Sequence, residues 1–173
     1  MQIRVAGIQR DSIVDGKGLR FVVFKQGCPH HCYGYHNPET HSLHEGKMMD
    51  TNEIVEQMSA NPLCDGLTLS GGEPFLQPHA CAKIAKAAKN RGMNVWCYTG
   101  YRLEELNAMV NVNELLNEID VLVDGKFLLA RRSLDLDFRG SSNQRVIDMN
   151  VYRNTGKIEL LYQQKSNNKS NID

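Results

Sequence analysis

Between residues 19 and 123, short apolar runs alternate with longer amphipathic ones, and this alternation restricts the possible folds most strongly. The apolar runs predict strands at 19–24, 66–70, 95–99 and 121–123, and the amphipathic runs predict helices at 51–60, 78–91 and 102–118. Strands that alternate with helices require right-handed crossovers and form a parallel sheet. The sequence therefore predicts an α/β fold whose ligand sites lie beyond the carboxyl ends of the strands.

Local signals predict where these helices begin and end. Asp50 can cap the first helix, and Glu53 completes a capping-box pattern. Gly92 follows the second helix at a position typical of a C-terminal cap, and Val110-Asn111 predict a break in the third.

After Gly125 the pattern becomes less regular. One further strand is predicted at 157–162, whereas the polar residues 163–173 have little apolar surface to bury and predict a disordered tail. The length of 173 residues suits one domain of the usual ~100–200 residues. We therefore expect a single domain at 1–162.

Charge and composition exclude several classes of protein. Twenty Lys and Arg residues balance twenty Asp and Glu residues, so no net positive charge favours nucleic acid or an anionic membrane. No apolar run approaches the ~18 residues of a membrane span, and the N-terminus lacks the apolar segment of a signal peptide. The five cysteines, an odd number, argue against a disulfide framework. We expect a cytoplasmic protein that binds neither nucleic acid nor membrane and uses cysteines for thiol or metal chemistry.

The loop after the first predicted strand is rich in metal-ligating residues. It extends from Cys28 to Met49 without an apolar period, and a loop of this length in a compact domain is usually functional. Cys28 and Cys32 can converge on one metal ion or cluster, although two thiolates alone do not close a site. The loop also carries histidines that favour a metal, namely His30, His31, His36, His41 and His44.

Three other segments allow a plain structural interpretation beside a functional one. Gly71-Gly72 can be a tight strand-to-helix turn or a place where a small ligand approaches the backbone closely. Asp124 and Lys126 are typical of a solvated turn, and we assign no catalytic role to them. Residues 139–145 form either an ordinary loop or a surface that binds a cofactor or partner.

Taken in order, these motifs resemble one protein family. Cys28-Pro29-His30-His31-Cys32, with Gly34, resembles the CxxxCxxC signature of radical S-adenosylmethionine proteins, in the version of the anaerobic ribonucleoside-triphosphate reductase-activating proteins. Further segments resemble that family's blocks, namely Asn37–Thr40, Ser70–Pro74, Tyr98–Tyr101, Val123–Phe127 and Arg139–Gln144. The resemblance extends from about residue 4 to residue 148.

The resemblance implies a fold, two cofactors and a reaction. It implies a partial parallel (βα) barrel in which three thiolates hold a 4Fe-4S cluster and the remaining iron binds S-adenosylmethionine. Reductive cleavage of this cofactor forms a 5′-deoxyadenosyl radical, which takes a hydrogen atom from a glycine of the anaerobic ribonucleoside-triphosphate reductase. The implied electron donor is a flavodoxin-type protein, and the implied activity is that of an oxidoreductase.

The resemblance also implies roles for particular residues. Cys28 and Cys32 would ligate the cluster. The residues expected to border the cofactor are Gly34, Tyr35, His36, Gly71, Gly72 and Glu73. Within that set, Gly72 is expected nearest to the methionine end of S-adenosylmethionine, and Glu73 would help to receive its ammonium group.

Tyr35 departs from the family pattern. The family's third cysteine falls at this position, and phenolate is not a usual ligand of iron–sulfur clusters. Neither His36 nor Cys97 is expected to replace the missing thiolate, and Cys64, Cys81 and Cys97 are expected to be small buried hydrophobes. We therefore expect a weak or incomplete cluster and impaired activation of the reductase.

Two alternatives follow from the missing thiolate. The chain can be a catalytically inactive homologue that still binds the partner. It can also be a zinc-stabilised protein that uses Cys28, Cys32 and one or two loop histidines. Metal analysis separates these possibilities, since they predict iron with acid-labile sulfide, zinc, or no metal.

Overall fold

A computed structural model describes residues 1–163, so the predicted tail at 163–173 lies almost wholly outside it, and the single domain expected at 1–162 remains a prediction. The strands are β1 Gln2–Ser12, β2 Arg20–Lys25, β3 Lys47–Asp50, β4 Gly66–Gly71, β5 Asn94–Tyr98, β6 Val121–Asp124, β7 Arg145–Asp148 and β8 Leu160–Leu161. The helices are α1 Thr51–Ser59, α2 Pro78–Asn90, α3 Leu103–Asn107, α4 Asn113–Leu116 and α5 Met149–Thr155. Short 3-10 turns lie at Pro38–Thr40, Pro74–Leu76 and Leu129–Arg131.

The strands within residues 1–163 form one mixed sheet in the order β3-β1-β2-β4-β5-β6-β7-β8. The central strands β2, β4, β5 and β6 run parallel. On one side β1 and β3, and on the other β7 and β8, pair antiparallel. The two edges do not meet, so the sheet is not closed. The predicted α/β fold is confirmed, and the open sheet is compatible with a partial barrel of the radical S-adenosylmethionine type.

The helices cover one face of the sheet and form the main core with it. Because side chains of a strand alternate between the two faces, every second residue of the parallel strands points to this core. The buried members include Phe21, Val23, Leu67, Leu69, Val95 and Leu122 of the sheet and Ile54, Met58, Ile84, Leu106 and Leu115 of the helical layer. The Asp50 cap is confirmed, since its carboxylate accepts a 2.8 Å hydrogen bond from the Asn52 N–H. None of the helices described within residues 1–163 is long and apolar enough to cross a membrane.

On the opposite face of the sheet, the Arg20 side chain packs against the amino-terminal halves of the central strands. Its fully buried guanidinium donates to Thr68 Oγ1 and to the Leu67 carbonyl, both at 2.7 Å. It also lies 5.5 Å from the ring centroid of Trp96, which packs edge-on against Phe138. These side chains cover the amino-terminal halves of the parallel strands on this face, whereas the carboxyl ends of the strands are not covered by them.

The antiparallel strands β1, β3 and β7 were not predicted, and β8 is shorter than predicted. In β1, Ile3 and Val5 are buried but most other residues are polar or exposed, and β3 lies within the stretch expected to be an irregular loop. Neither β7 nor α5 was predicted, and the strand expected at 157–162 is reduced to β8. The predicted break in the third helix is confirmed, with Asn111 at a φ of 63° between α3 and α4.

Candidate functional site

A cavity of about 400 Å³ opens at the carboxyl ends of the parallel strands, a size typical of small-molecule sites. Its lining includes Cys28 after β2, Ser70–Gly72 at the end of β4, Tyr98–Gly100 at the end of β5 and Gly125 after β6. The cavity therefore lies where the alternation of strands and helices predicts a ligand site.

The cysteine loop, which connects β2 to β3, begins with a fixed geometry. The Gly27 N–H donates to the Thr40 carbonyl at 2.7 Å, and the Cys28 N–H donates to the His41 carbonyl at 3.1 Å. Both Cys28 and Cys32 line the cavity. The two expected ligands thus face the same space.

Burial opposes ionisation of the Cys28 thiol. The residue is 8% exposed, and burial raises the pKa of its thiol to about 11. Since the thiolate is the form that ligates a metal, metal binding at Cys28 must displace a proton.

Tyr35 occupies the third position of the cysteine motif. Its hydroxyl donates to the Gly71 carbonyl at 3.3 Å. Its ring stacks on the His41 ring, with 5.4 Å between centroids and 16° between planes. It also makes an edge contact with the Phe127 ring at a centroid distance of 6.1 Å. Burial raises the pKa of the phenol above its usual value, so the hydroxyl stays protonated at neutral pH. A neutral, hydrogen-bonded ring therefore stands where the family pattern has a thiolate.

The described part of the chain assembles no third ligand around Cys28 and Cys32. Within residues 1–163, no group of three or more His, Cys, Asp or Glu side chains is placed to hold a metal ion. Cys81 and Cys97 are fully buried in the main core, as predicted, whereas Cys64 is half-buried. The donor set fits two of the three thiolates that a 4Fe-4S cluster takes in this family, and it does not complete a tetrahedral zinc site.

Gly71 and Gly72 line the cavity, but glycine is needed at both positions because the neighbouring backbone leaves no room for a side chain. Gly71 has a φ of 86°, and a Cβ there would lie 2.7 Å from Lys25 N. Gly72 lies outside the left-handed region, and a Cβ there would lie 2.3 Å from Gly27 O. Gly71 is therefore required by the close approach of the end of β2, and Gly72 by that of the Gly27 backbone just after β2, whatever ligand the cavity takes.

Glu73 lies behind the cavity wall, and its side chain is fully buried. Oε1 accepts from the Thr99 hydroxyl at 2.9 Å, and Oε2 accepts from the Gly100 N–H at 2.9 Å. Oε2 also lies 2.8 Å from His30 Nε2. The expectation that Glu73 receives an ammonium group directly does not fit this placement, because protein donors already occupy its oxygens.

The other residues predicted to border the cofactor also line the cavity. Gly34 has a φ of 74°, and a Cβ there would lie 3.0 Å from the Leu129 side chain. His36 is exposed, and its ring lies 4.8 Å from the Tyr35 ring. The structure thus brings together every predicted site residue except Glu73.

The segment 139–144 forms the far wall of the cavity. Gln144 Oε1 accepts from the Gly140 N–H at 2.9 Å and from the Ser141 N–H at 3.1 Å. Arg139 lines the cavity, and its Nε atom has no hydrogen-bond partner within the described part of the chain. The segment is therefore an ordered loop that also presents polar groups to the cavity.

Asp124, at the end of β6, is engaged in structural contacts. Its buried carboxylate accepts from the Leu103 N–H at 2.8 Å and from Arg145 Nε at 2.9 Å. Arg145 also donates to Glu104 at 2.8 Å. These bonds connect β6 to β7 and to α3.

The chain is similar to known proteins over most of its length. Residues 14–147 match the family described as 4Fe-4S single cluster domain. The anaerobic ribonucleoside-triphosphate reductase-activating protein of Salmonella typhi is 39% identical over 142 residues, which cover 78% of this chain and 91% of that protein. The protein of the same name from Escherichia coli K12 is 39% identical over 146 residues, covering 78% and 91%. That of Enterobacteria phage T4 is 34% identical over 140 residues, covering 77% and 86%.

Proposed function

Because this chain belongs to the family of anaerobic ribonucleoside-triphosphate reductase-activating proteins, we propose that its cavity binds S-adenosylmethionine and that it acts on an anaerobic (class III) ribonucleotide reductase. The proposed reaction is activation of the reductase by formation of a glycyl radical. One observation carries the proposal: Cys28 and Cys32 face the same cavity as the turn at Gly71 and Gly72.

We also propose that this chain is impaired in the reaction. The family's 4Fe-4S cluster takes three thiolates, and this chain offers two thiols and the Tyr35 phenol. The phenol is a poor substitute because it is protonated and already bonded to the Gly71 carbonyl.

The walls of the cavity suit a ligand with one polar and one apolar end. Ser70–Gly72 and Thr99 line the cavity at the strand ends, where we propose that the methionine part binds. The side chains of Phe127, Leu136 and Phe138 supply apolar surface, which would exclude water from the nucleoside part.

The proposal also covers the partners and the place of action. We propose the anaerobic reductase as target, a flavodoxin-type protein as electron donor and the cytoplasm as the place of action. The target is named in the relatives themselves, the donor derives from the resemblance of the motifs, and the location is the one expected from the sequence.

A second function is favoured by Tyr35 itself. The ring completes the cavity wall between His41 and Gly71, so the surface around the cavity can persist without a cluster. The chain would then be an inactive homologue that binds the reductase. The zinc alternative has less support, since residues 1–163 bring no third ligand to Cys28 and Cys32.

The test is analysis of protein purified without oxygen and reconstituted with iron and sulfide. We expect S-adenosylmethionine binding by calorimetry, substoichiometric iron and sulfide, and little 5′-deoxyadenosine with a strong reductant. A full cluster with normal cofactor cleavage would contradict the impairment. Absence of S-adenosylmethionine binding would contradict the proposed function, and stoichiometric zinc would favour the zinc-stabilised protein.

A further inference from the structure

Three residues lie between Cys28 and Cys32, and His30 is the one whose side chain points into the protein. Its neighbours Pro29 and His31 are exposed, whereas the His30 side chain is 6% exposed. Its ring makes an edge contact with Tyr101 at a centroid distance of 4.5 Å. The loop is therefore anchored at this point by a side chain as well as by its backbone.

Glu73 connects the His30 ring to the ends of two parallel strands. Oε2 of Glu73, which follows β4, lies 2.8 Å from His30 Nε2. The same carboxylate accepts from the Thr99 hydroxyl and the Gly100 N–H, which follow β5. Because a carboxylate oxygen accepts, Nε2 is the donor in the contact with His30.

Gly100 provides the space that the His30 ring occupies. A Cβ at position 100 would lie 2.3 Å from His30 Cδ2 and 2.6 Å from Nε2. Such distances are far below van der Waals contact, so the ring can reach Glu73 only across a glycine. The hydrogen bond and this close approach are two separate observations that fix the ring in one position.

We propose that His30, held by Glu73, is a positioning residue that sets the separation and orientation of the Cys28 and Cys32 thiols. Cys28 is tied by its N–H to the His41 carbonyl, but the turn at His31, with a φ of 49°, separates it from Cys32. The His30 anchor fixes that turn. The role deepens the proposed function, since it concerns the same ligand pair, but it requires neither a cluster nor S-adenosylmethionine.

The separation of the two thiols can be measured with phenylarsine oxide. This trivalent arsenical condenses with two neighbouring thiols, forming two As–S bonds and releasing one water, with no change in the oxidation state of arsenic or sulfur. The reaction is carried out on the reduced full-length chain without oxygen. Cys28→Ser measures the binding that does not depend on the pair.

Two variants of matched chemistry test the anchor. The amide nitrogen of His30→Gln reaches about as far as the imidazole Nε2, whereas that of His30→Asn is one carbon shorter and falls short of Glu73. We expect His30→Asn to weaken arsenical binding by at least about tenfold, the loss expected for one hydrogen bond to a charged group. His30→Gln is expected to stay within about threefold of the parent chain.

Melting temperatures separate positioning from stability. A positioning role predicts weaker arsenical binding by His30→Asn at a melting temperature equal to that of His30→Gln. If His30→Asn does not fold, Thr99→Val loosens Glu73 from the side of β5 and is expected to weaken binding in the same direction. Equal arsenical affinity of folded Asn and Gln variants, or of Thr99→Val and the parent chain, would overturn the proposal. Failure to bind S-adenosylmethionine would bear on the proposed function alone.

Discussion

The Tyr35 hydroxyl donates a 3.3 Å hydrogen bond to the Gly71 carbonyl and so joins the cysteine loop to the end of β4. The same ring stacks on His41 within the loop. A side chain that the family pattern would use for ligation therefore holds two walls of the cavity together. Replacing it changes both the ligand set and the shape of the site.

Tyr35→Cys is expected to restore the cluster. The change removes a buried phenol and supplies a soft thiolate beside Cys28 and Cys32. We expect iron and sulfide to rise toward a full 4Fe-4S complement, and a glycyl radical to form on the anaerobic reductase. Chemical analysis and electron paramagnetic resonance measure these two results.

Tyr35→Ser is the matched control, because it relieves the bulk without supplying a thiolate. If the serine variant gains the radical signal as fully as the cysteine variant, then steric obstruction was the defect. If neither variant gains it, the interpretation of the cysteine loop is wrong.

Gly72→Val is expected to destabilise the fold even without ligand. Its Cβ would lie 2.3 Å from Gly27 O, and a backbone atom cannot be displaced as easily as a side chain. We expect the free energy of unfolding in urea to fall by about 2–4 kcal/mol. Gly7→Val is the control, since a Cβ at Gly7 meets nothing within 4 Å. Equal stability of the two variants would show that the Gly27 backbone does not constrain Gly72.

Arg20→Ala is expected to lower the free energy of unfolding by at least about 3 kcal/mol, because it leaves two buried acceptors without this donor. Those acceptors are Thr68 Oγ1 and the Leu67 carbonyl, both 2.7 Å from the guanidinium. Arg10→Ala removes an exposed arginine of β1 and is expected to change stability by no more than about 0.5 kcal/mol. Urea unfolding followed by circular dichroism compares the two, and similar losses would contradict the role given to Arg20.

Cys81 is expected to make the fold sensitive to alkaline pH. Burial raises the pKa of its thiol to about 11, although nearby Lys25 opposes the shift, whereas an unfolded thiol ionises near 9.0. Above that pH the unfolded chain releases the proton and the folded chain keeps it, so stability falls as pH rises from 9 toward 11. For this group we expect a loss of about 1–2 kcal/mol between pH 8.5 and 10.5.

Cys81→Ala tests this sensitivity, since alanine has no thiol to titrate. The variant is expected to be less stable at pH 8.5, because it loses buried volume, but to lose less stability than the parent chain on going to pH 10.5. Urea titrations at the two pH values give the difference. Parallel losses in both proteins would show that Cys81 does not contribute.

The central part of the fold was predictable because its signals are local. Strands β2 and β5 contain nearly continuous apolar runs, β4 alternates two leucines with Thr68 and Ser70, and Asp50 and Gly92 mark the helix ends within a few residues of the pattern itself. The antiparallel strands that flank the parallel centre lack such signals. β7 has four residues, of which Val146 and Ile147 are buried, and its place depends on pairing with β6.

The candidate site was predictable only in part, for the same reason. Cys28 and Cys32 form a short motif directly after a strand, so their position at the cavity could be expected. Glu73 and His30 are separated by 43 residues, and their contact depends on the fold and on the space above Gly100. Nothing near Glu73 in the sequence shows that its carboxylate points behind the cavity wall.

Trp96, which lies beneath the Arg20 guanidinium and packs edge-on against Phe138, is the single tryptophan of the sequence. Its intrinsic fluorescence therefore arises from one point of the molecule, and Phe138, which lines the cavity, is in direct contact with it. A ligand that shifts the Phe138 ring changes the surroundings of the indole and hence its emission. The chain thus carries a built-in optical reporter of cavity occupancy that requires no label.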